Sequence, residues 1–386
     1  MRVSRLSALL ALALASSCAT PPKQGDCRDG ACTTRLVYFG THGQQAGQGI
    51  FGARFDEATG KLSALGEVAP LFRPTWLVAD PVRPLIYAVS EQGNDGRSNG
   101  KVVSYTVDHA SGSLAGIGTA DAGGGGPTHL GYDPRSHSLF VANFGSGTAT
   151  VLPVDLGGRI GPVAARVQDQ GSGPNPRQAG PHAHGVTLDP SGRFVLVPDL
   201  GADRTFVYRF DPRTRRLSPA PRPYAQVPAG TGPRHVVFGR GGRYAYLATE
   251  LTAQVIVYRW DASNGGLDPV QTLDLTPAGF TGQRSAAEIA VSRDGRFLYV
   301  SSREGEDAIY VFAVDPAQGT LIEVQRFETG KRPWSFALSP GEQWMLVAEE
   351  AAGHVAVLAR DPESGKLGAT DNGIAVYQPV NVTFAH

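Results

Sequence analysis

The sequence predicts an all-β fold: a seven-bladed β-propeller whose ring is closed by the C-terminal strand. Three observations predict it. One short apolar pattern recurs seven times, at Leu36 (LVYFGTHG), Leu85 (LIYAVSEQ), Leu139 (LFVANFGS), Phe194 (FVLVPDLG), Tyr244 (YAYLATEL), Phe297 (FLYVSSRE) and Trp344 (WMLVAEEA). Successive starts lie roughly 47–55 residues apart, the period of a propeller blade and not of a helical solenoid. Period-two alternation and frequent turns fill every repeat, and no apolar face recurs at the helical period.

Each repeat holds more than its marker run. An inner strand precedes it, entered through a small or proline-containing turn: Pro74–Val78, Pro127–Gly131, His182–Val186, Pro233–Val237, Ala286–Ala290 and Pro333–Ala337. Turns such as Asp189-Pro190-Ser191-Gly192 and Arg293-Asp294-Gly295 join the two as hairpins. A third strand follows, such as the one carrying Val255, Val257 and Tyr258, and it ends at an aspartate: Asp56, Asp108, Asp211, Asp261, Asp315 or Asp361. A Gly-Lys-Leu or Gly-Ser-Leu turn then often leads to a fourth, outer strand, and four antiparallel strands make a blade. The first marker run has no inner strand before it. Pro379-Val380-Asn381-Val382-Thr383-Phe384 supplies the missing one, so the C-terminus is expected to be structural.

Composition narrows the function. The 386 residues carry 35 basic and 35 acidic side chains, which gives no electrostatic case for nucleic acid or an anionic membrane surface. The 49 glycines and 28 prolines suit many short strands joined by tight turns. Residues 1–18 read as a signal peptide, with Arg2 and Arg5 before an apolar stretch from Leu6 to Ala15. Its end, Ala15-Ser16-Ser17-Cys18, resembles a bacterial lipobox with its leucine, Leu14, displaced by one place; lipidation of Cys18 and ordinary cleavage near Ala19 both stay open. Residues 19–34 read as a flexible tether and 35–386 as the propeller. In an exported chain Cys27 and Cys32 can form a disulfide around a small loop. The membrane is expected to be met only through such a lipid anchor, and the chain to act as a monomer.

In a propeller the starts of inner strands and the ends of the next strands face one channel mouth. Those positions hold His129, His184, Arg234, His235, Glu250, Glu288, Arg303 and Glu349, with Glu91 and Asn143. Charged groups converging there are costly unless they pair or face a wet cleft.

Several motifs then carry a resemblance. Gly180-Pro181-His182-Ala183-His184, Val197-Pro198-Asp199-Leu200-Gly201-Ala202-Asp203, Gly232-Pro233-Arg234-His235, Tyr244-Ala245-Tyr246 with Glu250-Leu251, and Leu298-Tyr299-Val300-Ser301-Ser302-Arg303 resemble the seven-bladed lactonase propellers. That family includes bacterial 6-phosphogluconolactonases and the fungal carboxy-muconate lactonising enzyme. Gly40-Thr41 and Gly49-Ile50 match its opening pattern, and the resemblance runs from about Leu36 to the end. It implies a catalytic set of His184, Arg234, Glu250 and Arg303, with His182 the lesser alternative to His184. The chain departs from the family at Phe144, where tyrosine is common, at Ser302, where asparagine is common, and at Trp334, where the last blade often carries arginine.

The chemistry of this set suits lactone opening. A histidine near neutral pKa can take a proton from water. Glu250 can orient that imidazole or act as the base itself. Arg234 and Arg303 can hold an anionic group or the developing oxyanion. His129, His182, His235 and Glu288 are the expected substrate contacts. The competing reading of the same residues is structural, with Arg234–Glu250 and Arg303–Glu288 as ion pairs that close the channel. His182 and His184 share a strand face, but no third ligand follows by spacing, so neither a metal nor another cofactor is expected. The stretch from Gln168 to Pro181 joins blades and can also lie over the channel mouth, whereas Asp199 and Asp203 read as turn-fixing residues. The expected function is hydrolysis of a small sugar or organic-acid lactone, with 6-phosphogluconolactone disfavoured by export. The alternatives are a non-catalytic envelope binding propeller and a lactone-forming cycloisomerase.

Overall fold

The computed structural model describes residues 34–277 and 279–385. Cys18, Cys27 and Cys32, with the lipidation and disulfide expected of them, lie outside the described residues. Seven antiparallel sheets follow one another as blades, six of them four-stranded and one five-stranded. Blade 1 comprises Pro379–Phe384, Thr34–Thr41, Ile50–Asp56 and Lys61–Ala69, in spatial order from the channel outward. Blades 2 to 6 span Leu77–Asp121, Pro127–Gln168, Thr187–Gln226, Pro233–Asp274 and Ala286–Glu328, and blade 7 spans Pro333–Ala375. Among the described residues, no helix is long and apolar enough to cross a membrane.

The core lies between blades and not within them. Seven buried apolar clusters each join two neighbouring blades. Successive side chains of a strand point to opposite faces, so each marker run serves two clusters. Leu36 and Tyr38 pack toward blade 2, whereas Val37 and Phe39 pack toward blade 7. With both faces covered, the runs must be continuously apolar. Each buried Val, Leu or Phe contributes roughly 1.5–3 kcal/mol.

The aspartate at the end of each third strand fixes the outer turn. Asp361 accepts from the Glu363 N–H at 2.9 Å, and the Gly365 N–H returns to the Asp361 carbonyl at 2.8 Å. Gly365 sits at φ 72°, and a Cβ there would lie 2.3 Å from the Phe297 ring of blade 6. The turn therefore needs glycine for both its backbone and its close approach.

The ring closes as expected. Val37 to Thr41 pair antiparallel with Phe384 to Pro379. One expected element differs. The inner strand of blade 4, expected over His182–Val186, is reduced to an isolated bridge between Ala183 and Asp199 and a two-residue strand, Thr187–Leu188. Pro198, opposite it, has no N–H to donate, and its carbonyl takes both the His184 and Gly185 N–H groups.

Candidate active site

Two kinds of position supply the channel mouth, the second of them in blades 3, 5 and 7. The first is the residue that follows each second strand: His42, Glu91, Phe144, Leu200, Glu250, Arg303 and Glu350. The second is a β-bulge near the start of the inner strand. Pairing jumps from Pro127↔Asn143 to His129↔Ala142, from Pro233↔Thr249 to His235↔Ala248, and from Pro333↔Glu349 to Ser335↔Ala348. Thr128, Arg234 and Trp334 are left with no opposite residue, and a bulge re-aims a side chain in this way. All three line a cavity of about 210 Å³, together with residues that include His42, Arg73, Trp76, Glu91, Phe144, Arg177, His184, His235, Glu250 and Arg303.

Glu250 is the hub of this cavity. Its Oε2 lies 2.9 Å from Arg234 Nε, 3.2 Å from Arg303 Nη2 and 3.4 Å from His184 Nε2. Its Oε1 lies 2.6 Å from Arg177 Nη1. Burial alone would raise the carboxyl, but Arg303, His184 and Arg234 hold it well below the usual carboxylate range. Glu250 is therefore an ionised acceptor with its oxygens already engaged, and not a free base.

His184 is pulled down to about 4, first by burial and then by the Arg234 charge. It is neutral at pH 7. An ionised Glu250 beside Nε2 favours the tautomer that donates from that nitrogen. The other nitrogen, Nδ1, is buried and has no hydrogen-bond partner. The ring is held edge-on to Phe144 and His235, with centroids 5.5 and 5.3 Å away. Arg303 donates from Nε to Ser285 at 3.1 Å, lies 3.6 Å over the Trp334 ring, and leaves Nη1 buried without a partner. The cation–π contact offsets part of its desolvation. Burial brings Arg303 down to about 9 against the pull of Glu250, so it stays charged at neutral pH.

The structure brings His184, Arg234, Glu250 and Arg303 together. The other expected residues sit differently. His235 lines the cavity, but Glu288 and His129 lie behind the lining. Glu288 Oε1 faces His235 Nδ1 at 3.4 Å, and its Oε2 accepts from Ser335 at 3.2 Å. Burial raises Glu288, while burial and then Arg234 push His235 well down. The expected Arg303–Glu288 pair is absent, because Arg303 turns to Glu250 instead. His129 packs under Trp76, with centroids 4.2 Å apart, and accepts from the Val186 N–H at 3.3 Å. His182 stacks on Phe144 at 4.5 Å, holds the Phe144 carbonyl at 2.8 Å, and does not line the cavity. Asn143 and Glu349, expected at the mouth, turn away to Thr148 and His354; Phe144 lines the cavity in the first case, and Glu350 pairs with the lining residue His42 in the second. Among the described residues, no group of three or more histidines, cysteines or acids is arranged to hold a metal ion.

Arg177 and Arg73 were not legible as site residues. Arg177 sits on a short turn, Pro176–Gln178, capped by the Asn175 side chain. Gln178 is fully buried and ties this turn to the Leu200 carbonyl and to Asp203. The stretch from Gln168 to Pro181 thus reaches the channel mouth, as its position allowed. The cavity lining carries four guanidinium groups, Arg73, Arg177, Arg234 and Arg303, against two carboxylates, Glu91 and Glu250. With His184 and His235 neutral, the field is net positive and favours an anionic or strongly polarised carbonyl ligand.

Beneath this stretch, Asp169 and Asp199 form a buried carboxyl pair. Asp199 Oδ1 accepts from the His182 and Ala202 N–H groups at 2.8 Å each, and Asp169 Oδ1 accepts from Tyr208 at 2.6 Å. Burial raises both, and the Asp199 charge raises Asp169 further. The folded state therefore retains a proton that the unfolded chain would lose, and stability is lost as pH rises through the raised value. Asp199→Asn keeps both backbone contacts and supplies a permanent N–H toward Asp169. Its melting temperature is expected to fall less than wild type on the alkaline side of the carboxylate range. Equal slopes for the two proteins in a thermal melt series would contradict the shared proton.

Residues 36–384 match the family model "Lactonase, 7-bladed beta-propeller". A 6-phosphogluconolactonase of Bacillus subtilis is 31% identical over 92% of this chain and 99% of its own length. The structure of a periplasmic gluconolactonase from Pseudomonas aeruginosa is 37% identical with a TM-score of 0.86, over 92% of this chain and 99% of that one. A putative 6-phosphogluconolactonase of Bacteroides fragilis, 29% identical, superposes with a TM-score of 0.84 over 92% of this chain and 98% of its own. The fold, the shared length and the family match together establish that this chain belongs to the seven-bladed β-propeller lactonases.

Proposed function

We propose that this lactonase is exported and hydrolyses a small sugar or organic-acid lactone, with water activated by His184. The observation that carries the reading is the state of His184: its Nε2 faces an ionised Glu250, and its buried Nδ1 has no partner. That is the arrangement of a general base oriented by a carboxylate. His184, which lines the cavity, takes a proton from water as the water oxygen bonds to the lactone carbonyl carbon. The carbonyl oxygen gains charge between the guanidinium groups of Arg303 and Arg234, which both line the cavity. The tetrahedral species then expels the ring oxygen, which takes the proton back from His184, and a hydroxy acid leaves. Glu250 orients the imidazole and fixes both arginines.

The test is base-uptake titration of a panel that includes gluconolactone and anionic lactones, with His184→Ala as control. Turnover that collapses in the variant supports the assignment. No turnover across the panel, or equal turnover in the variant, overturns it.

The N-terminal sequence supports export, and the P. aeruginosa neighbour is named a periplasmic protein. We place the catalytic propeller as a monomer in the cell envelope, anchored through lipid on Cys18. Cys18→Ala is then expected to move the full-length protein from the membrane fraction to the soluble one. Unchanged fractionation would refute the anchor.

A further inference from the structure

The central cavity is small for a whole ligand. At about 210 Å³ it falls below the ~300–1,000 Å³ usual for ligand pockets, whereas an adjoining open groove of about 630 Å³ falls within that range. The two spaces share Arg73 and Glu91 in their linings, so they adjoin at that pair. The groove adds Phe72, Gln92, Asn94 and Ser98.

Its chemistry differs from that of the cavity. Arg73 and Glu91 pair with each other at 3.4 Å, and the other polar groups are neutral. Gln92 donates its amide N–H to Ser90, and Asn94 donates to Glu91, which leaves their carbonyl oxygens as acceptors. Among the described residues, Phe72 is one of few large apolar side chains left exposed, at 39%. An exposed ring beside neutral acceptors and a hydroxyl matches a pyranose, with one C–H face and a rim of hydroxyls.

The junction is held in place. Arg73 adopts a left-handed backbone at φ 43°, uncommon for a residue with a side chain. Its N–H donates to Gly43, and its carbonyl accepts from Thr75 and Glu91. Strain of this kind costs about 1–3 kcal/mol and persists where the surroundings over-determine it. Arg73 Nε is buried with no partner, while the residue lines both cavity and groove.

We propose that the groove is a second sugar subsite and that the substrate is a glycosyl aldonolactone, its lactone ring in the cavity and its neutral glycosyl ring on Phe72. This rests on the lactonase reading. The self-paired Arg73–Glu91 couple disfavours a phosphate or carboxylate at that position, because the groove has no unpaired cation for it.

The test compares lactobionate and gluconate, the ring-opened acids of a disaccharide and a monosaccharide lactone, by titration calorimetry. Lactobionate is expected to bind about tenfold tighter to wild type. Phe72→Ala should erase that ratio, and Phe72→Trp should restore it. The corresponding lactones should show the same ratio in kcat/KM. Equal affinity for the two acids, or binding of neither, overturns the subsite. So does a preference that Phe72→Ala leaves intact. Tighter lactobionate binding with neither lactone hydrolysed keeps the subsite and overturns the lactonase reading instead.

Discussion

His184→Ala lowers kcat for lactone hydrolysis by about 10²–10⁴-fold at neutral pH, the usual contribution of a positioned general base. The fold is expected to survive. The ring makes edge contacts with Phe144 and His235, and its loss leaves Glu250 paired with Arg177, Arg234 and Arg303. No buried charge is therefore stranded, which is the costly outcome when one partner of an ion pair is removed. A wild-type rate in the variant, in a lactone-titration assay, would remove His184 from the chemistry.

The pH dependence separates a base from a merely structural histidine. Burial, then the Arg234 charge, brings His184 from 6.5 down to about 4. A base in that state gives a kcat/KM that rises with pH through about 4 and then stays level through neutrality, whereas His184→Ala has no such limb. Stability runs in the same direction. Because the folded value lies below the unfolded one, the neutral imidazole is fully compatible with the fold above about 6.5, and stability is lost as pH falls toward about 4. The alanine variant is expected to lose less stability than wild type across that window. A structural histidine would show the stability difference without the kinetic one.

The residues differ in how much of their placement the sequence reveals. The seven marker runs are legible because each is buried on two faces, which leaves no room for polar alternation. The closing strand is legible because the first blade is one strand short at its start. Glu250 and Arg303 stand out as the first charged residues after their runs, and Arg234 follows the proline that opens its blade. Asn143 and Glu349 read just as inward, yet both point away. A strand's pleat reverses with each residue, and composition does not say which residue is last in the ladder. The bulge that aims Arg234, Thr128 and Trp334 inward is a matter of register, invisible until strands pair. Arg177 is harder still, since its partner Glu250 is distant in sequence and belongs to another blade. Arg303 pairs with Glu250 of the preceding blade and not with Glu288 of its own, a choice that no local pattern encodes.

Ending the chain at Gln378 is expected to have the largest effect on stability. The removed strand carries Val380 and Val382, at 0% and 6% exposure, which contribute roughly 1.5–3 kcal/mol each. It also joins blades 1 and 2, because Asn381 accepts from the Leu77 N–H at 3.2 Å and Thr383 donates to the Leu77 carbonyl at 3.1 Å. Without it the inner edge of Thr34–Thr41 is an open strand edge in an apolar setting, a template for aggregation. At about 2–4 °C per kcal/mol for a large domain, the melting temperature should fall by about 10 °C or more. A synthetic peptide of residues 379–385 added in trans should recover part of that loss, since it can re-form the missing ladder. A truncated chain that melts with the wild-type midpoint would refute ring closure as a stabilising device. No lining residue of the central cavity lies in the deleted segment. Turnover lost below the new midpoint therefore reports on how far closure of the ring, and not any side chain of the strand, holds His184, Arg234, Glu250 and Arg303 in register across blades.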